Sequence, residues 1–321
     1  VIDDDTQAER MPEVNDFRSL DDVETRLAEH GHLADRRIQT AALLTAQLSR
    51  PLLVEGPAGT GKTSLAQKMA VAQGRRLIRL QCYEGIDESR ALYEWEYAKQ
   101  LLYTQILRDR IGALLEGALT LDDALTRLRG QATAFFSEDF LLARPLLEAL
   151  RASEPTLLLL DEIDKADPEF EAFLLEMLAE MQVTIPELGT VKARVVPQVV
   201  LTSNRARELS DPLRRRCLHL TLTFPDAERE RAIIRAHLPD IDEALMHAVV
   251  GAVQKIRSLE LRKAPSIGEA VDWARALVLL GRGVLDDKTL DETLGVIVKY
   301  EEDARTVRGA TRAIVDASRN A

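Results

Sequence analysis

Short apolar-rich runs alternate along this chain with longer stretches in which apolar positions recur every three or four residues. The runs at 52–54, 77–81, 157–160, 199–202 and 218–222 lack a helical period and end at polar or turn-forming residues, so they read as strands buried on both faces. Leu20, Val23 and Leu27 share one face of a segment over 17–33, and a second helix is expected over 36–48, stopped by Pro51 ahead of the first strand. Strands separated by helical segments predict an α/β fold, a three-layer core with helices on both faces of a parallel sheet.

The stretch between the second and third strands, residues 82–156, is longer than one crossover helix needs. It brings Tyr93, Trp95, Tyr97 and Tyr103 close together in sequence and adds an amphipathic piece at 121–128. This predicts an inserted helical subregion whose aromatics form either an ordinary helical face or a contact surface. Two β-like runs at 181–187 and 191–196, joined by Leu188-Gly189-Thr190, read as a hairpin before the fourth core strand. After Phe224-Pro225-Asp226 the pattern is wholly helical, with helices expected near 227–237, 241–258, 266–281 and 287–302. The domain boundary is expected there, with the N-terminal helices and the core with its inserts in 1–225 and a small all-α domain in 226–321.

Chemistry enters after the first strand. Gly56-Pro57-Ala58-Gly59-Thr60-Gly61-Lys62-Thr63 fits GxxxxGK[ST] between a strand and a helical segment. In that setting backbone N–H groups converge on a phosphate, and the positive end of the following helix favours the same charge. Lys62 would reach the β- and γ-phosphates of a nucleoside triphosphate, and the Thr63 hydroxyl would hold Mg2+. The run at 157–160 ends in Asp161 and Glu162. Such a pair can merely cap a strand; following a phosphate loop, Asp161 is expected to order Mg2+ through water and Glu162 to activate the water that attacks the γ-phosphate.

Asp164 reads as an ordinary turn acid. Asn204 follows the fourth strand, where it either fixes the attacking water or caps the next turn. Arg214, Arg215 and Arg216 are adjacent cations that repel one another unless an anion faces them. They form a solvated basic patch, or one of them reaches the γ-phosphate bound by a neighbouring subunit.

Composition narrows the partners. With 53 acidic and 42 basic residues among 321, the formal charge is −11, which argues against a nucleic-acid partner over most of the surface. Cys82 and Cys217 are too few for a disulfide scaffold or a metal quartet and are expected to pack in the interior, and the histidines lack ligand spacing. No apolar run reaches the length of a membrane span or a signal core, so a cytoplasmic protein is expected.

The ensemble resembles the AAA+ ATPases and, within them, the MoxR family. GPAGTGKT at 56–63 is similar to the Walker A motif, LLLLDE at 157–162 to Walker B, Asn204 to sensor 1, and Arg216, last of the DPLRRR segment, to the arginine finger. GHLADRRIQTAALLTAQLSRPLLVEG at 31–56 resembles the family's lead into the nucleotide pocket, and the hairpin near 182–196 its insertion before sensor 1. QCYEGIDESRALYEWEYAKQLLY at 81–103 looks closest to CoxD-type members found beside carbon monoxide dehydrogenase maturation genes.

The resemblance implies ATP hydrolysis with Mg2+ in a homo-oligomeric ring, expected to be a hexamer. It also implies a helix 2 insertion within 86–135, a pore hairpin at 182–196 and a C-terminal lid. The implied partner is a von Willebrand factor A domain protein, with which the chain would remodel a client enzyme or insert its metal cofactor. The same core would serve the alternative, a motor acting on nucleic acid or a nucleoprotein complex. One departure stands out: family lids commonly carry a sensor 2 arginine in a Ser-Pro-Arg setting, whereas Arg262-Lys263-Ala264-Pro265-Ser266-Ile267 offers Ile267. Arg262 or Lys263 substitutes, or the lid senses nucleotide differently.

Overall fold

The computed structural model describes residues 15–106, 140–186 and 188–319. The main sheet contains β1 (Leu52–Glu55), β2 (Arg76–Gln81), β5 (Thr156–Asp161), β8 (Gln198–Ser203) and β9 (Leu218–Thr221), in the spatial order β2-β5-β8-β1-β9. It is a parallel sheet, with Gln81 opposite Asp161 in one pair and Leu160 opposite Leu201 in the next. All six residues of β5 and of β8 are buried, which is why these strands read as unbroken runs rather than as alternating patterns.

By compactness the described residues divide into two units interleaved in sequence. One holds Asn15, Asp16, Leu44–Leu53 and the described part of Gln73–Leu218; the other holds Phe17–Leu43, Val54–Ala72 and the described part of His219–Ala321.

In the first unit the helices Pro145–Arg151 and Pro168–Glu180 add Leu146, Leu147, Leu150, Phe170 and Leu174 to the core under β2, β5 and β8. The expected hairpin is present, with β6 (Gln182–Ile185) antiparallel to β7 (Gly189–Lys192). Val183 and Ile185 are buried while Thr184 and Thr190 are exposed, so only one face packs on the core. The second strand starts at Gly189 rather than at 191, because a left-handed glycine (φ +81°) completes the turn and returns the chain into register sooner.

The expected helical insert is corrected in part. Tyr93–Trp95 forms β3, paired antiparallel with β4 (Leu141–Ala143), between the short helix Glu88–Ala91 and the helix Tyr97–Ile106. Trp95 is buried, with its ring edge-on to Tyr93 at 5.9 Å, and Tyr103 lies edge-on to Phe140 at 5.2 Å. Burial of an indole against a paired strand outweighs the helical spacing. Tyr97 remains exposed. The amphipathic piece at 121–128, the greater part of the expected insertion within 86–135, and Glu187 lie outside the described residues.

In the second unit the helix Leu20–Glu29 is capped by Ser19 and buries Val23 and Leu27, as its spacing predicts. Arg26 carries its guanidinium to the carbonyl of Ala72 at the end of the helix Lys62–Ala72, at 2.9 Å from Nε. The C-terminal helices are Ala227–His237, Glu243–Arg257, Ile267–Leu279, Asp287–Ile297, Glu301–Gly309 and Thr311–Arg319. The single helix expected over 287–302 breaks, with Val298 extended (φ −118°, ψ 129°). After that break buried Asp303 accepts from the N–H groups of Arg262 and Lys263 at 2.8 and 3.1 Å. Trp273, fully buried, donates from Nε1 to Thr293 at 2.8 Å.

Glu230 is buried against Arg257 at 2.7 Å. Burial pushes its carboxyl up, and the bonds from Arg257 and Gln254 counter this only in part. Among the described residues no helix is long and apolar enough to cross a membrane.

His32 lies near Asp35 and Arg229 in this unit, and its Nε2 is buried without a hydrogen-bond partner among the described residues. Burial first, then the cations Arg229 and Lys68, lower its pKa to about 4 from 6.5. Between those values the unfolded chain binds the proton that the folded chain refuses. Stability is therefore expected to fall as pH drops from about 6.5 to about 4. Denaturant unfolding of His32→Gln across this range should show a shallower loss than the parent protein; an unchanged slope would remove His32 as its source.

Candidate active site

The candidate residues fall in both units, and each group is described within its own unit. In the second, fully buried Val54 of β1 and the helix Lys62–Ala72 hold the phosphate loop between them. Gly59 and Gly61 turn with left-handed φ of +83° and +90°. Lys62 is buried, and its ammonium donates to the carbonyls of Gly56 and Pro57 at 2.8 Å each; Thr60 closes onto Pro57 O at 2.9 Å. The N–H groups of Gly59, Thr60 and Gly61 have no acceptor among the described residues. Three undirected donors beside a buried ammonium at a helix start suit a polyanionic phosphate, so the loop fits the ligand its sequence predicts. Thr63 follows Lys62 in the first turn of that helix.

The loop is also tied to the C-terminal helices. Ile267 donates its backbone N–H to Gly59 O at 3.1 Å, and a Cβ on Gly59 would lie 2.3 Å from that of Ser266. Ser266 and Glu269 form a reciprocal capping box that fixes the start of the helix Ile267–Leu279. The two cations considered for sensor 2 are engaged elsewhere: Arg262 stacks over Tyr300 at 4.3 Å and Lys263 pairs with Glu269 at 3.1 Å.

In the first unit, Asp161 ends β5 with its carboxylate buried. Oδ1 accepts from the Thr202 hydroxyl at 2.6 Å and Oδ2 from Arg79 at 2.5 Å. Glu162 follows in the left-handed region (φ 57°), where a non-glycine residue stores strain, and its N–H donates to Thr202 Oγ1 at 2.9 Å. The Glu162 carboxylate takes Asn204 Nδ2 on Oε1 at 3.1 Å, with Gln81 Nε2 (2.9 Å) and Lys165 Nζ (2.6 Å) on Oε2. The bond to Glu162 raises the pKa of Lys165.

Asp164, read as a turn acid, is buried and accepts from the N–H groups of Asn204 and Ala206 at 3.2 and 2.9 Å. It therefore holds the turn that presents Asn204. The structure thus brings Asp161, Glu162 and Asn204 together. The hard oxygen of Asp161 is of the type that Mg2+ accepts.

Arg214, Arg215 and Arg216 end the helix Asp211–Arg216. Arg50 donates to the carbonyls of Arg215 and Arg216 at 2.9 and 3.2 Å, which satisfies that helix end. The side chains of Arg215 and Arg216 are exposed. Cys82 and Cys217 are both buried thiols, and burial pushes each up to about 12.

Arg79, Gln81, Thr202 and Lys165 were not singled out as site residues in the sequence. Arg79 and Gln81 are exposed positions i and i+2 of β2, whose other face is buried. Polar residues two apart on the face opposite buried Ile78 and Leu80 were the available signal.

Residues 51–217, more than half of the chain, match the family model described as an AAA domain of the dynein-related subfamily. The chain is also 23% identical over 251 residues to "Uncharacterized protein SH1500" of Staphylococcus haemolyticus (strain JCSC1435), covering 76% of this chain and 82% of that protein.

Gly59→Ala is expected to destabilise the protein by about 1–3 kcal/mol, because a side chain meets both a left-handed φ and Ser266. Gly61→Ala, with comparable φ and nothing within 4 Å of the added carbon, should cost less. Ser266→Gly should recover part of the Gly59→Ala loss. Equal losses by urea unfolding, with no recovery, would remove the close approach as the cause.

Proposed function

Because this chain belongs to the dynein-related AAA domain family, we propose that it hydrolyses ATP to ADP and phosphate and uses the nucleotide cycle to remodel a client protein. The loop N–H groups and Lys62 hold the β- and γ-phosphates, with Thr63 and Asp161 as the residues for Mg2+, which when bound neutralises charge on those phosphates. Glu162 takes the proton of the attacking water. Its Oε2 is anchored by Gln81 and Lys165, so Oε1, beside the Asn204 amide, is the atom for that transfer. Arg216 of a neighbouring subunit supplies positive charge as the outer P–O bond breaks.

The observation that carries this reading is the contact of Asn204 Nδ2 with Glu162 Oε1 at 3.1 Å, an acid and an amide that follow separate strands and together orient one water.

The C-terminal segment 226–321 is read as the lid. It senses the loop through Ile267 N–H on Gly59 O, a backbone group where related lids use an arginine. The resemblance at 81–103 and the hairpin near 182–196 support a hexameric ring of MoxR type, of the CoxD-like subgroup, and a cytoplasmic location is part of the same proposal. A von Willebrand factor A domain partner and a client enzyme whose maturation needs remodelling or metal-cofactor insertion complete the proposal.

Glu162→Gln should retain ATP while hydrolysis falls by about 10²–10⁴-fold; wild-type turnover in this variant would sink the water-activating role. Arg216→Ala should lose turnover alone. Mixed with Glu162→Gln subunits, it should regain part of that turnover, because some interfaces then join an intact Glu162 to an intact Arg216. Mixed assemblies with no regained turnover would show that Arg216 does not act across an interface.

A further inference from the structure

The acid expected to hold the metal already has a cation of its own. Arg79 donates from one Nη2 to Asp161 Oδ2 at 2.5 Å and to Gln81 Oε1 at 2.7 Å. The two partners differ in environment: the Asp161 side chain is 2% exposed and that of Arg79 is 46% exposed. The carboxylate is held by Thr202 inside the sheet, whereas the arginine stands on the solvent side of β2 and has water to retreat into. A half-exposed guanidinium binds a carboxylate weakly, since water screens it and its long side chain loses freedom in the pair. A divalent cation brought in with a triphosphate places more charge on the same oxygen from a compact centre.

We propose that Arg79 is a displaceable counter-ion for Asp161, neutralising the buried carboxylate until Mg2+ with ATP takes its place. Arg79 thereby sets how much Mg2+ the site needs. The proposal rests on the ATPase reading and adds to it a competitor built into the chain. A guanidinium that served structure alone would stabilise the protein equally at every Mg2+ concentration; a competitor matters most when Mg2+ is low.

The test follows thermal unfolding of the full chain in the Glu162→Gln background, so that ATP is not consumed, with ATP fixed and Mg2+ titrated. Arg79→Met should lower the Mg2+ concentration at the midpoint of ATP-dependent stabilisation by about 3- to 10-fold, and Arg79→Lys by less. In a chelator, Arg79→Met should unfold at a lower temperature than its parent, and that gap should close as Mg2+ is added. In an Asp161→Asn background, Arg79→Met should not move the midpoint. Stabilisation by ATP with an unchanged midpoint, or a gap that Mg2+ does not alter, overturns the counter-ion while leaving the ATPase reading intact. A parent protein that ATP does not stabilise at any Mg2+ concentration overturns both.

Discussion

A carboxylate at the end of a wholly buried strand needs polar partners from neighbouring strands, and Asp161 is in that position. Thr202 reaches it from β8 and Arg79 from β2. The Thr202 hydroxyl has a second task, since it also accepts the N–H of Glu162 and so fastens the left-handed turn to the atom that satisfies Asp161. Glu162 then falls within reach of Asn204, Gln81 and Lys165. Asp164 follows into the interior and braces the turn behind Asn204. A one-residue slip of β5 against β8 would turn the side chains to the opposite face and undo these bonds together.

The phosphate loop shows the same economy in its backbone. Its left-handed glycines free N–H groups for an anion, and Lys62 is held by the loop's own carbonyls. The start of the helix Ile267–Leu279 rests on that loop through one backbone bond and a contact that only glycine at position 59 permits. The positive end of a helix thus stands where a cationic side chain was expected, and the two nearby cations, Arg262 and Lys263, serve Tyr300 and Glu269 instead.

Arg50 shows how one basic residue can leave others available. By donating to the carbonyls of Arg215 and Arg216 it satisfies the end of a short helix that would otherwise call on those side chains. Their exposed guanidiniums are then compatible with an anion on another subunit, the reading on which a shared site depends.

The five core strands, the hairpin and most helices were legible because each follows from local periodicity and turn chemistry. The phosphate loop was legible because glycine spacing and one lysine carry its chemistry within eight consecutive residues. Local pattern failed where packing between distant segments decided the outcome: Tyr93–Trp95 became a strand because Leu141–Ala143 pairs with it, and the helix expected over 287–302 broke at Val298. Sequence alone therefore nominated the residues proposed to bind phosphate, hold a metal and activate water. Tertiary structure alone decided that Arg79, Thr202 and Gln81 attend the two acids, and that Ile267 N–H meets Gly59; Lys165, three residues beyond Glu162, is a local partner. The distant partners come from separate strands and helices, and only the register of parallel strands and the packing of helices bring their atoms within bonding distance.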